Sequence, residues 1–298
     1  MRYDSAATFR QALEARLQNE AARTGTSIVR LRKLVTFDRL LARLSAAAPG
    51  RWVLKGALAI EFRTGVGGRA TRDVDLAWAD DARAALADFQ AAQRTDPGDH
   101  FVFVIERSSG PDEEDAPGGE RYRALAELGG RPFETVLVDV GFSDPQLWAP
   151  EPVRGPDLLA FAGIEPCEPP TLPLEQHVAE KVHAYTRTYA GGRRSSRVKD
   201  LADLVLLRTM APLDAGRVRL ALERTFDVRA THPLPRTLPP PPDAWQTPYR
   251  RLASDTGIEE DLSEAFSLVS ELIDPVLSGE DIATWDPEGS RWIRSHEP

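Results

Sequence analysis

Apolar side chains recur at helical spacing between residues 5 and 48. The first set is Phe9, Leu13 and Leu17; the second is Ile28, Leu31, Leu34, Val35, Leu40, Leu41 and Leu44. That period predicts two helices. Gly25 and the capping candidate Ser27 divide them, and Pro49-Gly50 ends the second. From residue 52 the pattern changes. Residues 52–62 read as a short strand, a glycine turn and a short helix, and Gly65, Gly67 and Gly68 mark a loop. Asp73-Val-Asp-Leu-Ala-Trp alternates as a strand does. Residues 80–93 are alanine-rich and helical in period. Phe101-Val-Phe-Val-Ile and Phe133 to Val140 are strands rich in β-branched residues. Residues 108–120 gather Gly, Pro, Asp and Glu and predict an exposed loop.

Beyond residue 150 the chain changes character. Pro150, Pro152, Pro156, Pro166, Pro169, Pro170 and Pro173 crowd a connecting stretch. Helices are expected over Leu174–Tyr189, stopped by Gly191-Gly192, and over Arg197–Met210, capped by Ser195 or Ser196. Others are expected near Leu213–Arg224 and Glu259–Leu277. Seven prolines between 231 and 248 keep that segment extended. The expectation is an α/β (α+β) chain in two parts: a mixed-sheet core with amino-terminal helices over 1–165, and a helical lobe over 166–298.

Composition narrows the class. Of 298 residues, 42% are hydrophobic and 28% charged, a globular balance. No apolar run reaches membrane-spanning length and no signal core opens the chain, so a cytoplasmic protein with no membrane partner is expected. Cys167 stands alone, which excludes an internal disulfide and a cysteine-based zinc site. None of the five histidines falls at convincing ligand spacing. The net charge of −9 argues against long-range attraction of a polyanion. Basic residues do cluster locally, however. Arg187, Arg193, Arg194, Arg197 and Lys199 lie together, and Arg63, Arg69 and Arg72 flank an acidic pair.

That pair carries the chemistry. Lys55-Gly56-Ala57-Leu58 is a turn opening a helix, whose backbone N–H groups suit a phosphate. Asp73 and Asp75 follow, two apart on a strand and so on one face. Paired carboxylates of this kind hold the two magnesium ions of in-line phosphoryl displacement. Asp139, inside the apolar run Thr-Val-Leu-Val-Asp-Val, is costly to bury and is the candidate third carboxylate, as metal ligand or general base. Taken singly, an Asp-x-Asp pair also describes a solvated strand edge, and a charge run a solvated turn.

Lys55-Gly56-Ala57-Leu58-Ala59 followed by Arg69-Ala-Thr71-Arg-Asp73-Val-Asp75-Leu resembles the signature of DNA polymerase β-type nucleotidyltransferases. More closely it resembles the AbiEii/AbiGii toxin family, including MenT-like toxins. That family has two glycines in the turn, where this chain has Gly56 and Ala57. Glu180-Lys181-Val-His-Ala-Tyr-Thr-Arg187 and Ser196-Arg197-Val-Lys199-Asp200-Leu-Ala-Asp203-Leu resemble its downstream motifs, and Asp274-Pro-Val-Leu and Trp285-Asp-Pro fit its end. The likeness spans most of residues 30–290.

The resemblance implies a polymerase β-like mixed-sheet core and a helical lobe closing the nucleotide cleft. It implies an NTP substrate, two Mg2+ ions on Asp73 and Asp75 with Asp139 assisting, an RNA acceptor with the tRNA 3′ end foremost, and a cognate antitoxin. Lys181 would neutralise β- and γ-phosphate charge. Asp200 would orient Lys181 or stand near the nucleotide, and Arg197 would join the binding set with Lys55, Gly56, Ala57 and Thr71. A phosphate on Thr71 would block the nucleotide by charge and bulk. The rival expectations are transfer to a small molecule or a protein, and a non-catalytic nucleotide- or RNA-binding module.

Overall fold

The computed structural model describes residues 1–65, 71, 73–108, 119–142, 146–189, 193–194 and 197–294, with backbone alone for 188–189 and 193–194. It divides into two compact units. One comprises Met1–Val66, Ala70–Phe142 and Pro150–Thr171; the other comprises chiefly Leu172–Pro298 with Ser143–Ala149.

The first unit begins with α1 (Ala6–Thr24) and α2 (Ile28–Ala47). Ser5 and Ser27 cap them through their side chains, and Gly25 ends α1 at φ 73°. Both predicted apolar stripes are buried in one core, with Ile28 packed half-buried against it. Arginines on α2 then tie down neighbouring elements. The Arg30 guanidinium reaches Glu61 at 2.6 Å, and Arg43 reaches Asp99 at 2.6 Å. Asp38 accepts from the Cys167 backbone N–H at 2.7 Å, anchoring the proline-rich connection. These carboxylates are buried, so losing either partner strands a charge.

The sheet has seven strands: β1 (Trp52–Lys55), β2 (Asp73–Trp78), β3 (Phe101–Ser108), β4 (Glu120–Leu128), β5 (Arg131–Gly141), β6 (Glu151–Pro152) and β7 (Pro170–Thr171). Their order is β3-β4-β5-β2-β1-β7-β6. The β2/β5 and β1/β7 pairs are parallel and the others antiparallel, so the sheet is mixed as expected. One face buries Val74, Leu76, Tyr122, Ala124, Val136, Val138 and Val140 in the core with α1, α2 and α4 (Ala82–Arg94). The other face carries Asp73, Asp75 and Asp139, all half-buried.

Strand β4 is the longest strand that the sequence reading lacked. Tyr122, Ala124, Ala126 and Leu128 alternate inward, but alanines and interleaved charges are poor strand formers. The loop expected over 108–120 lies largely outside the described residues, and its first and last residues belong to β3 and β4.

The second unit packs α5 (Leu174–Thr186), α6 (Val198–Leu207), α7 (Ala215–Arg229), α8 (Gln246–Thr256) and α9 (Leu262–Ser278). A three-stranded sheet of β10 (Leu213–Asp214), β11 (Thr284–Asp286) and β12 (Arg291–Ile293) seals its end. There the buried Trp285 indole N–H donates to the Arg208 carbonyl at 2.7 Å. Several boundaries differ from expectation. Helix α5 stops at Thr186, because Arg187 turns extended (ψ 132°) into β8 (Thr188–Tyr189), which pairs with β9 (Arg193–Arg194). Helix α6 opens at Arg197 without a side-chain cap, and the capping candidates Ser195 and Ser196 lie outside the described residues. The extended segment gives way to α8 before Pro248. That proline sits in the first turn, where no intrahelical N–H bond is lost. No described helix is long and apolar enough to cross a membrane.

Candidate active site

Register brings the first cluster together. Lys55 at the end of β1 pairs with Asp75 on β2, and Asp75 pairs with Asp139 on β5. Asp139 pairs in turn with Arg121 on β4. Four charged residues therefore form one row across four adjacent strands. Asp73 lies two residues from Asp75 on the same face, opposite Leu137.

Helix α3 (Gly56–Thr64) starts beside this row. Gly56 has φ +66°, and a Cβ there would overlap the Asp75 carboxylate. Glycine is thus required twice over, by backbone conformation and by the close approach. Ala57 is buried and is absent from the positive-φ residues, so its position needs no glycine. The departure from a two-glycine turn therefore costs this turn nothing. The first-turn N–H groups of α3 have no intrahelical acceptors, which leaves donors next to Asp75. The buried Arg30–Glu61 pair holds the helix from behind.

Asp139 is tied rather than open. The Arg121 guanidinium donates from Nε to Oδ1 at 2.6 Å and from Nη2 to Oδ2 at 2.8 Å. Among the described residues, no three acidic, histidine or cysteine side chains are arranged as a metal cage. Asp73 and Asp75 nonetheless suit a hard divalent cation. Both offer carboxylate oxygens on one half-buried face, and Gly56 leaves the space beside Asp75 free of a side chain.

Thr71 precedes β2 by two residues. Its hydroxyl donates to the Asp73 carbonyl at 3.0 Å and accepts from the Asp73 N–H at 3.4 Å, pinning the start of β2. Of the flanking arginines, Arg63 pairs with Glu151 at 3.0 Å; Arg69 and Arg72 lie outside the described residues.

The second cluster belongs to the other unit. The Lys181 ammonium on α5 contacts Asp203 at 2.7 Å and Asp200 at 3.2 Å, both on α6. Asp203 and Asp200 are 0% and 1% exposed. Two carboxylates at i and i+3 thus share one lysine from the facing helix. Arg197 stands 4.0 Å from Asp200 Oδ2, an oxygen with no hydrogen bond. Asp203 was visible in its motif but given no role. Arg121 was missed with its strand. The histidines remain outside this chemistry. Burial chiefly, helped by Arg229, lowers the His183 imidazole to about 3.

A family model described as nucleotidyl transferase AbiEii toxin, type IV toxin–antitoxin system, matches residues 39–271. Among solved structures, the fold is similar to MenT4, a nucleotidyltransferase toxin from Mycobacterium tuberculosis H37Rv. Identity is 20%, the TM-score is 0.54, and the match covers 89% of this chain and 97% of that one. JHP933 from Helicobacter pylori matches at 17% identity and TM-score 0.44, covering 83% and 91%. No curated relative matches the chain significantly.

Proposed function

The chain belongs to the AbiEii nucleotidyl transferase toxin family of type IV toxin–antitoxin systems, and from that premise we propose that it transfers a nucleotide from an NTP to an RNA acceptor, with magnesium, and that the tRNA 3′ end is the acceptor. The observation that carries the reading is the register row. It sets Asp75 between Asp139 and Lys55, with Gly56 yielding its side-chain space to the Asp75 carboxylate.

Asp73 and Asp75 would hold the two magnesium ions, with Asp139 assisting. Bound there, the ions would lower the pKa of the attacking hydroxyl and offset charge on the leaving pyrophosphate. The protein's own groups do the rest. The free N–H groups at the start of α3 receive a phosphate of the nucleotide. Lys55 adds positive charge in the same row. Lys181 neutralises β- and γ-phosphate charge, as its motif implies, while Asp200 and Asp203 hold its ammonium in place. Arg197 supplies a second cation near Asp200. Asp139, once released from Arg121, can accept the acceptor's proton. The hydroxyl of Thr71 supports the Asp73 backbone, so a phosphate there would both add charge beside the metal ligands and unseat the strand start.

An acceptor RNA must approach a chain of net charge −9. Local arginines, not overall charge, would receive it. Nucleotides and tRNA are cytoplasmic, and the proposed reaction belongs there. Purified protein incubated with magnesium, total tRNA and each labelled NTP tests the reading, beside an Asp73→Ala control. Label in tRNA with one NTP, lost in the control, is the expected result. Label absent from RNA with every NTP removes the tRNA acceptor and turns the search to protein and small-molecule acceptors.

A further inference from the structure

Asp139 presents a puzzle for any metal site built on it. A partner that merely orients a metal-binding carboxylate engages one oxygen and leaves the other to the ion. Arg121 engages both, Nε on Oδ1 at 2.6 Å and Nη2 on Oδ2 at 2.8 Å. This two-pronged fork is the strongest geometry a guanidinium offers a carboxylate. It also brings a full positive charge to the row where a divalent cation would sit, and like charges repel most where water is partly excluded. Register makes the competition direct: Asp139 has Arg121 across one flank and Asp75 across the other. The pair is not locked in the interior. The side chains of Arg121 and Asp139 are 27% and 19% exposed, so the guanidinium has a path to solvent.

Resting on the reading of Asp73 and Asp75 as the cation-holding pair, we infer that Arg121 is a built-in competitor for the metal at Asp139. It occupies the third carboxylate until a divalent cation displaces it, and so raises the cation concentration at which the site fills. In the unfilled site Arg121 answers the charge of Asp139. In the filled site it is released toward solvent, where it becomes available to a phosphate of the incoming nucleotide or RNA.

The test is cation binding by the full chain without nucleotide. Mn2+ titrations followed by electron paramagnetic resonance report bound ion directly, independent of turnover. The central comparison is of the wild type, Arg121→Gln, Arg121→Lys and Asp73→Asn, with Arg123→Gln, Asp139→Asn and the Arg121→Gln/Asp139→Asn double variant as controls. Arg121→Gln removes both the fork and the charge and is expected to tighten Mn2+ about three- to fivefold, the size of a partly exposed charge pair. Arg121→Lys keeps the charge without the fork and is expected to tighten it less. If Arg121→Gln fails to fold by circular dichroism, the lysine variant still decides the sign. Arg123→Gln changes an exposed arginine on the same strand face, paired with Glu106 at 3.4 Å, and should leave affinity unchanged. In the double variant with Asp139→Asn, the gain from Arg121→Gln should vanish. Unchanged or weaker Mn2+ binding in both Arg121 variants, with wild-type binding still lost in Asp73→Asn, overturns the competitor role alone. Wild-type binding that is absent, or indifferent to Asp73→Asn, overturns the role together with the metal site on which it rests.

Discussion

The two acidic clusters of this protein answer their charge in opposite ways. On the sheet, Asp73, Asp75 and Asp139 are half-buried on one face, and Asp139 is matched by a part-exposed arginine from the next strand. On the helices, Asp200 and Asp203 are buried almost completely and share one lysine from the facing helix. The first arrangement can trade its protein partner for a ligand, because both sides still reach water. The second cannot lose its lysine without taking the nearest cation from two buried carboxylates. The difference separates carboxylates whose charge is open to exchange from carboxylates whose charge is fixed by burial.

The largest effect should come from the sheet cluster. Asp73→Asn preserves shape but halves the carboxylate pair, and is expected to cut nucleotide transfer by about a thousandfold, or about 4 kcal/mol of barrier. Its melting temperature should stay near the wild-type value. A variant that melts far below it would mean the sheet cluster is structural after all, and the contrast with the helices would collapse.

Lys181→Met probes the helical cluster and should behave in the reverse sense. Taking the shared ammonium from buried Asp200 and Asp203 is expected to cost about 3–5 kcal/mol of stability, read by urea unfolding. The triple change Lys181→Met, Asp200→Asn, Asp203→Asn should recover much of that stability while remaining inactive. Failure of the triple change to recover would show that the cost lies in packing and not in charge.

Gly56 and Ala57 sharpen the picture at the turn. Gly56→Ala forces a side chain into a φ of +66° and into the Asp75 carboxylate. A strain of about 1–3 kcal/mol is expected, with about a hundredfold loss of transfer as Asp75 is displaced. Ala57→Gly should cost only about 0.5–1 kcal/mol of helix stability and keep activity. Equal effects at the two positions would refute the account of the turn.

The smallest effect is on pH dependence, in the second unit. His183 stays neutral in the fold down to about pH 3, held by burial first and then by Arg229, His232, Arg187 and Arg197. In the unfolded chain it takes up a proton below about pH 6.5. Native stability should therefore fall as pH drops through that window, by at most about 1.4 kcal/mol per pH unit from this group. In chemical unfolding from pH 7 to 4.5, His183→Gln should show the shallower slope. A steeper one would reverse the assigned sign.

Much of this was legible in the sequence where one physical rule dominated. Helical period and serine caps located α1 and α2, where Phe9, Leu13 and Leu17 recur every four residues behind Ser5 and share one buried face. Alternation located β2, β-branched residues located β5, and the glycine turn located α3. Strand β4 was hidden because its inward positions include two alanines and its outward positions mix the charged Arg121, Arg123 and Glu127 with Leu125. Arg121 went with it: no local signal tells which carboxylate an arginine will meet across a sheet. The Lys181–Asp200 contact could be framed from its motif, yet the shorter one to Asp203 depends on how two helices face each other. Helix α8 was lost under prolines that its first turn tolerates.

The most direct test of the central claim measures two products of one reaction. Wild type and Asp73→Asn are incubated with magnesium, labelled NTP and RNA, and both released pyrophosphate and label joined to RNA are counted. The account predicts equal amounts of the two from the wild type and neither from Asp73→Asn. Label joined to RNA undiminished in Asp73→Asn, or no pyrophosphate released by the wild type with any NTP, would contradict it.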